Sequence, residues 1–309
     1  MQKLLLDLRK TSDTPGLPSE DSEILLSDGS DADASLIAEK VVLDFGGDPG
    51  DAGILRKSSL DKLVAFNIIM GTIHLLQAIV MIVLATDFSL PVTTSYQTFD
   101  LATSSLVIDS KTLFEIPLVG LIIIFLLLSS GFHFYLGLIR PDPYQANLRL
   151  STNPTRFIEY SLSASTMMLA IAMLAGIEDL STLLMVFILT MIMNLLGLSM
   201  EKINQGKRVV DWLSFKIGIL AGIVPWVVIG VYFWGSSSSG NGMIPTFVYY
   251  IYLSIFIFFN CFALNMYLQY KKIGRWNDYI YGEKVFILLS LLAKSALAWQ
   301  IFFGTLRPV

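Results

Sequence analysis

The chain has one cysteine, Cys261, two histidines, His74 and His133, and few charges: 15% of its 309 residues are Asp, Glu, Lys or Arg. A lone cysteine builds neither an intrachain disulfide nor a thiolate metal site, and inside an apolar run it reads as a small packing residue. A soluble domain is nearer one quarter charged. This chain is 54% hydrophobic, with a mean hydropathy of +0.65. It has no phosphate-binding glycine loop, no HExxH and no plausible Ser-His-Asp set, so no enzyme is expected. The basic loops carry little aromatic interleaving, which argues against nucleic-acid binding. The opening MQKLLLDLRK is too polar for a signal peptide, so the first apolar helix is expected to act as its own insertion signal.

What the chain does have is long apolar runs. Seven occur, at roughly 62–86, 113–139, 155–177, 180–201, 211–234, 244–271 and 282–306. Each is long enough to cross a bilayer as a helix, and the runs are continuous rather than alternating, which excludes barrel strands. Pro225 and Pro245 fall in or at the start of the fifth and sixth runs, where neighbouring helices tolerate them. Ahead of these runs, residues 1–55 hold twelve acids and four bases among Ser, Gly and Pro. They read as a disordered acidic leader that buries too little apolar area to offset its ordering entropy. Residues 56–309 form the membrane domain. The loop at 87–112 contains PVTTSYQTFDL and SSLVIDSK, a composition that suits a short hairpin with a place in a dimer contact.

Topology follows from basic residues near the run ends. One side takes Arg56, Lys57, Lys62, Arg140, Arg149, Arg156, Lys202, Lys207, Arg208, Lys216, Lys271, Lys272, Arg275 and Lys284; the other takes only Lys111 and Arg307. Fourteen against two puts the N-terminus in the cytoplasm, and the C-terminus and hairpin outside. That orientation, with no DRY-like triplet and no NPxxY, separates the chain from G-protein-coupled receptors. The fold expected is an all-α bundle of seven transmembrane helices, rhodopsin-like, with an extracellular β-hairpin between the first two.

An ionisable group deep in a span marks function by default. Lys294, about twelve residues into LLSLLAKSALAWQ, is too deep to snorkel easily. A desolvated lysine amine is a nucleophile toward aldehydes, and the protonated imine so formed needs a carboxylate nearby. Glu159 in RFIEYSLSAS supplies one from a run of the same direction. At about 1.5 Å per residue both lie in the cytoplasmic half. His74 and His133 fall at similar depth, and with a reference pKa near 6.5 they suit a proton acceptor. Gln77 shares a helix face with His74, and Ser290 stands one turn before Lys294, so both are candidates to line the same polar cavity.

The stretch LNMYLQY, GRWNDYIYGEK and LSLLAKSALAWQIFFGTL, with RFIEYSLSAS and GIVPW, resembles the heliorhodopsins over about residues 60–306. The resemblance implies retinal, all-trans in the dark, bound as a protonated Schiff base on Lys294, with Glu159 as its counterion and Ser290 beside it. His74 and His133 match the family's two intramembrane histidines. The resemblance also implies a frequently dimeric protein with little or no ion pumping. Trp226, beside Pro225, and Phe259 are the aromatics expected to line the polyene.

An outward proton pump of the ordinary microbial type carries a second carboxylate eleven residues after the counterion and an acid one turn before the lysine. Here those positions are Ala170 and Ser290. A signalling photoreceptor is therefore the leading expectation. A light-gated proton channel using Glu201 and Glu115 is the second, and a light-dependent regulator of a membrane enzyme the third.

Overall fold

The computed structural model describes residues 57–238 and 244–307. The leader expected at 1–55 lies outside the described residues. Among the described residues, seven helices are long and apolar enough to cross a membrane. In chain order the elements are α1 Lys57–Leu84, β1 Ser89–Asp100, β2 Ser105–Pro117, α2 Leu118–Phe134 and a short α3 Pro141–Arg149. Next come α4 Pro154–Leu174, α5 Leu180–Asn204, α6 Leu213–Ser238, α7 Thr246–Lys271 and α8 Tyr279–Ile301. The last turns of α2 and α8 widen into π-helix at Tyr135–Ile139 and Phe302–Leu306. All but α3 are spans, so the third and seventh apolar runs are α4 and α8.

The runs become helices because every backbone group of a span must be satisfied within the segment. Their ends are set by side chains. Asn153 caps α4 by accepting from Arg156 N at 3.2 Å, with Pro154 in the first turn, where its missing N–H costs nothing. Asp179 caps α5 through Thr182 N at 2.9 Å, and Asp278 caps α8 through Ile280 N at 2.9 Å. Gly176, at φ +88°, turns the chain out of α4 while Ile177 N returns to Ala172 O, a left-handed stop that glycine adopts without strain.

The second span starts later than its hydropathy suggests. Residues 113–117, read as the beginning of that run, finish β2, because Phe114 and Ile116 pair with Val92 and Leu90 and Pro117 then caps α2. Apolar strand residues and apolar helix residues look alike across that join. The hairpin is consequently longer than expected, with strands of 12 and 13 residues and an irregularity between Val92 and Thr93. Its base is tied to the bundle by Thr93 N to Glu178 O at 2.8 Å and Leu118 N to Phe88 O at 2.9 Å. Thr86 N, just before it, bonds Leu306 O at 2.8 Å.

The bundle is packed unevenly along its length. The half next to the hairpin is filled by one large apolar cluster that includes Leu118, Phe125, Met168, Ala170, Ile171, Ile229 and Leu297. Two smaller clusters occupy the half next to α3. The buried polar groups thread between these two, around α4, the most enclosed span: 72% of its apolar stretch is buried, against 17% for α7.

Candidate functional site

Lys294 is 3% exposed, in the middle of α8. Its Nζ donates to Glu159 Oε1 at 2.9 Å and to Ser290 Oγ at 2.7 Å. Glu159, on α4, is 5% exposed, and the same Oε1 accepts from Ser129 Oγ of α2 at 2.6 Å. Helical periodicity makes this convergence possible, since Ser290 and Lys294 are four residues apart and share a face. A buried ammonium paired with one carboxylate, both hydrogen-bonded further, is the condition under which such charges persist in an apolar interior.

The amine stands beside an aromatic cavity. Nζ lies 5.1 Å from the Tyr160 ring centroid, and Tyr160 lines a cavity of about 150 Å³ reaching between α4, α5, α6 and α7. Trp226 and Phe259, the two aromatics singled out above, both line it, with centroids 5.5 Å apart and planes at 81°. Gly222 leaves room where a Cβ would meet the Met193 side chain. A mostly apolar, aromatic-lined slot separated from a primary amine by the Tyr160 ring fits a polyene aldehyde, the chemistry of retinal.

His74 and His133 are both buried, and their rings stack at 5.7 Å and 12°. Neither ring nitrogen of His74 has a partner among the described residues, and a buried polar group left so needs water or a ligand. His133 Nδ1 lies 2.7 Å from Asn67 Oδ1, and Asn67 Nδ2 donates to the Tyr144 hydroxyl of α3 at 3.1 Å. Tyr144 is fully enclosed, and burial holds its phenol well above the usual tyrosine range. Gln77 turns elsewhere, exchanging hydrogen bonds with Ser295 Oγ at 2.8 and 3.1 Å.

A second polar group lies between this site and the α3 end. Arg156 forms ion pairs with Glu201 of α5 and Glu283 of α8, all three buried. Asn153 N donates to Glu201 Oε2 at 2.8 Å, Asn153 Nδ2 to Glu283 Oε1 at 2.6 Å, and Tyr279 Oη to Glu201 Oε1 at 3.1 Å. Two carboxylates face one guanidinium, and the positive end of α4 helps offset the surplus negative charge. A cavity of about 20 Å³ lined by Asn67, His133, Arg156, Glu159 and Glu283 joins this cluster to the lysine site and has room for about one water.

Two readings of the sequence are corrected here. Arg156, counted with the loop charges that set topology, is an interior charge. Glu115, taken to start the second helix, lies exposed in β2 opposite Pro91. Sequence reasoning also passed over Ser129, Asn67, Tyr144 and Glu283. Asn67 and Ser129 carried the weak signal of a polar residue within an apolar run.

A family model described as heliorhodopsin matches residues 63–306. No curated protein matches the chain. The matched stretch contains all seven apolar spans almost entire, together with the lysine, the carboxylate and the aromatic slot. The chain belongs to the heliorhodopsin family, whose members are retinal-type, light-sensing integral membrane proteins.

Proposed function

We propose that this protein is a signalling photoreceptor in which all-trans retinal is bound in the dark as a protonated Schiff base on Lys294, with Glu159 as the single counterion. The observation that carries the reading is a 3% exposed amine bonded to one carboxylate beside an aromatic slot. When bound, retinal supplies visible absorption and a light-driven change of shape. The chain's own residues do the rest. Glu159, steadied by Ser129, stabilises the positive nitrogen; Ser290 orients it; Trp226 and Phe259 wall the polyene. His74 and His133 accept the proton when it leaves that nitrogen, and hold it inside the protein.

Active pumping is not part of the proposal. Ala170 sits where a second carboxylate would stand and is fully buried in the large apolar cluster, so that position offers no proton station. By the charge bias, the N-terminus is cytoplasmic and the C-terminus extracellular. The lipid bilayer is the immediate partner, and a homodimer is the expected assembly: β2 is almost wholly exposed, with Leu106 and Ile108 outward, and an uncovered apolar edge favours self-association.

The alternative is a light-gated proton channel. The cluster of Arg156, Glu201 and Glu283 favours it on the cytoplasmic side, and the apolar packing of the hairpin half opposes it. Mixing the purified protein with all-trans retinal tests the chromophore: a visible band is expected, absent in Lys294→Ala, and a colourless parent defeats the reading. Voltage clamp under illumination separates the two functions. No current supports the sensor; a current reversing at the proton equilibrium potential replaces it with the channel.

A further inference from the structure

The aromatic slot is not apolar throughout. Among its aromatic and aliphatic lining stand two carboxamides, Asn194 of α5 and Asn260 of α7. Each is the fifteenth residue of its helix, and the two helices run in the same direction, so they stand at one depth, far from either helix end. Asn194 Nδ2 donates to Thr190 O at 2.9 Å and Asn260 Nδ2 to Phe256 O at 2.8 Å. Because a carbonyl only accepts, the atom facing each helix carbonyl is the amide nitrogen, which gives one of its two hydrogens to that bond, and each Oδ1 is the other atom of the amide. Among the described residues neither Oδ1 accepts a hydrogen bond, and Asn260 is exposed on the span surface. Neither oxygen is sealed inside the protein, so both stay open to a donor, and two free acceptors lining one otherwise apolar cavity suit a ligand that brings a hydroxyl there.

We infer that the slot selects a retinal whose ring carries a hydroxyl group, which donates to Asn194 or Asn260 while the aldehyde carbon reaches Lys294. The inference rests on the chromophore assignment above and adds to it the class of ring. Trp226 and Phe259, nearly at right angles to each other, wall the slot beside the ring, and the amides read its edge. One neutral hydrogen bond corresponds to roughly a three- to tenfold preference.

The test is competitive regeneration. Full-length protein prepared without chromophore is given equal amounts of all-trans retinal and all-trans 3-hydroxyretinal, and the bound aldehydes are extracted and separated as oximes. The parent is expected to take up the hydroxylated form three- to tenfold in excess, and Asn194→Leu with Asn260→Leu to take both equally. Asn260→Leu alone, on the exposed surface where folding is least at risk, is expected to lower the preference part of the way toward that of the double variant. Equal uptake by the parent overturns the inference and leaves the photoreceptor standing. So does a preference that survives the double substitution. A parent that forms no pigment with either aldehyde overturns the chromophore assignment and this inference with it.

Discussion

The hydroxyl of Ser129 donates to the same oxygen of Glu159 that accepts from Lys294, at 2.6 Å against 2.9 Å. One carboxylate oxygen therefore carries two donors from two different helices, and the anion is fixed by α2 as well as by the amine it neutralises. Glu159→Gln removes the charge and Ser129→Ala only the support. In pigment regenerated with retinal, Glu159→Gln is expected to lose its visible band at a pH about 1–3 units lower than the parent, with a displaced maximum. Ser129→Ala should move in the same direction by less than about one unit. Spectrophotometric titration measures both, and unchanged curves for Glu159→Gln remove it as the counterion.

The stacked histidines lead to a second expectation. After a flash, the parent should cause little pH change in bulk solution, because the proton stays on the imidazoles. His74→Ala with His133→Ala should release up to one proton per pigment, detected by a water-soluble pH indicator. Identical traces for parent and variant mean that another group holds the proton.

Arg156 is the shared ion-pair partner of two buried carboxylates. Arg156→Met strands both, and breaking a buried ion pair by removing one partner costs about 3–5 kcal/mol. A melting temperature lower by on the order of 10 °C is expected in detergent. Adding Glu201→Gln and Glu283→Gln should recover most of the loss, because the orphaned charges go with them. A triple variant no more stable than Arg156→Met would show that packing, not charge, dominates there.

Tyr144 gives a pH-dependent case. Its phenol is held above the usual range mainly by burial, so above pH of about 10 the unfolded chain loses this proton before the folded one does. The folded state then binds more protons, and stability falls as pH rises. Tyr144→Phe loses one hydrogen bond, to Asn67, worth about 1 kcal/mol, but it escapes the alkaline penalty. Its deficit in melting temperature should be largest near pH 7 and shrink above pH 10. A constant deficit across that range would exclude the ionisation.

Much of the bundle was legible because a bilayer imposes length and continuity on the sequence. The lysine, the carboxylate and the two histidines stood out because charge and imidazole are scarce in apolar runs. The hairpin boundary was harder. LFEIPL reads as apolar in either state, and only pairing with Val92 and Leu90 decides for strand. Arg156 was misread for a similar reason: the third residue of a span looks like an interfacial anchor until Glu201 and Glu283 close over it from helices 45 and 127 residues away. Ser129 and Asn67 matter through what they touch on other helices, and no periodicity records that.

Asn67 fixes something finer than position. Its amide nitrogen is committed to the Leu63 carbonyl and the Tyr144 hydroxyl, so the atom facing His133 is an acceptor. The imidazole must then carry its hydrogen on Nδ1, which leaves Nε2 as the basic nitrogen. Any charge acquired by His133 arrives from the Nε2 side alone, giving the ring one entrance.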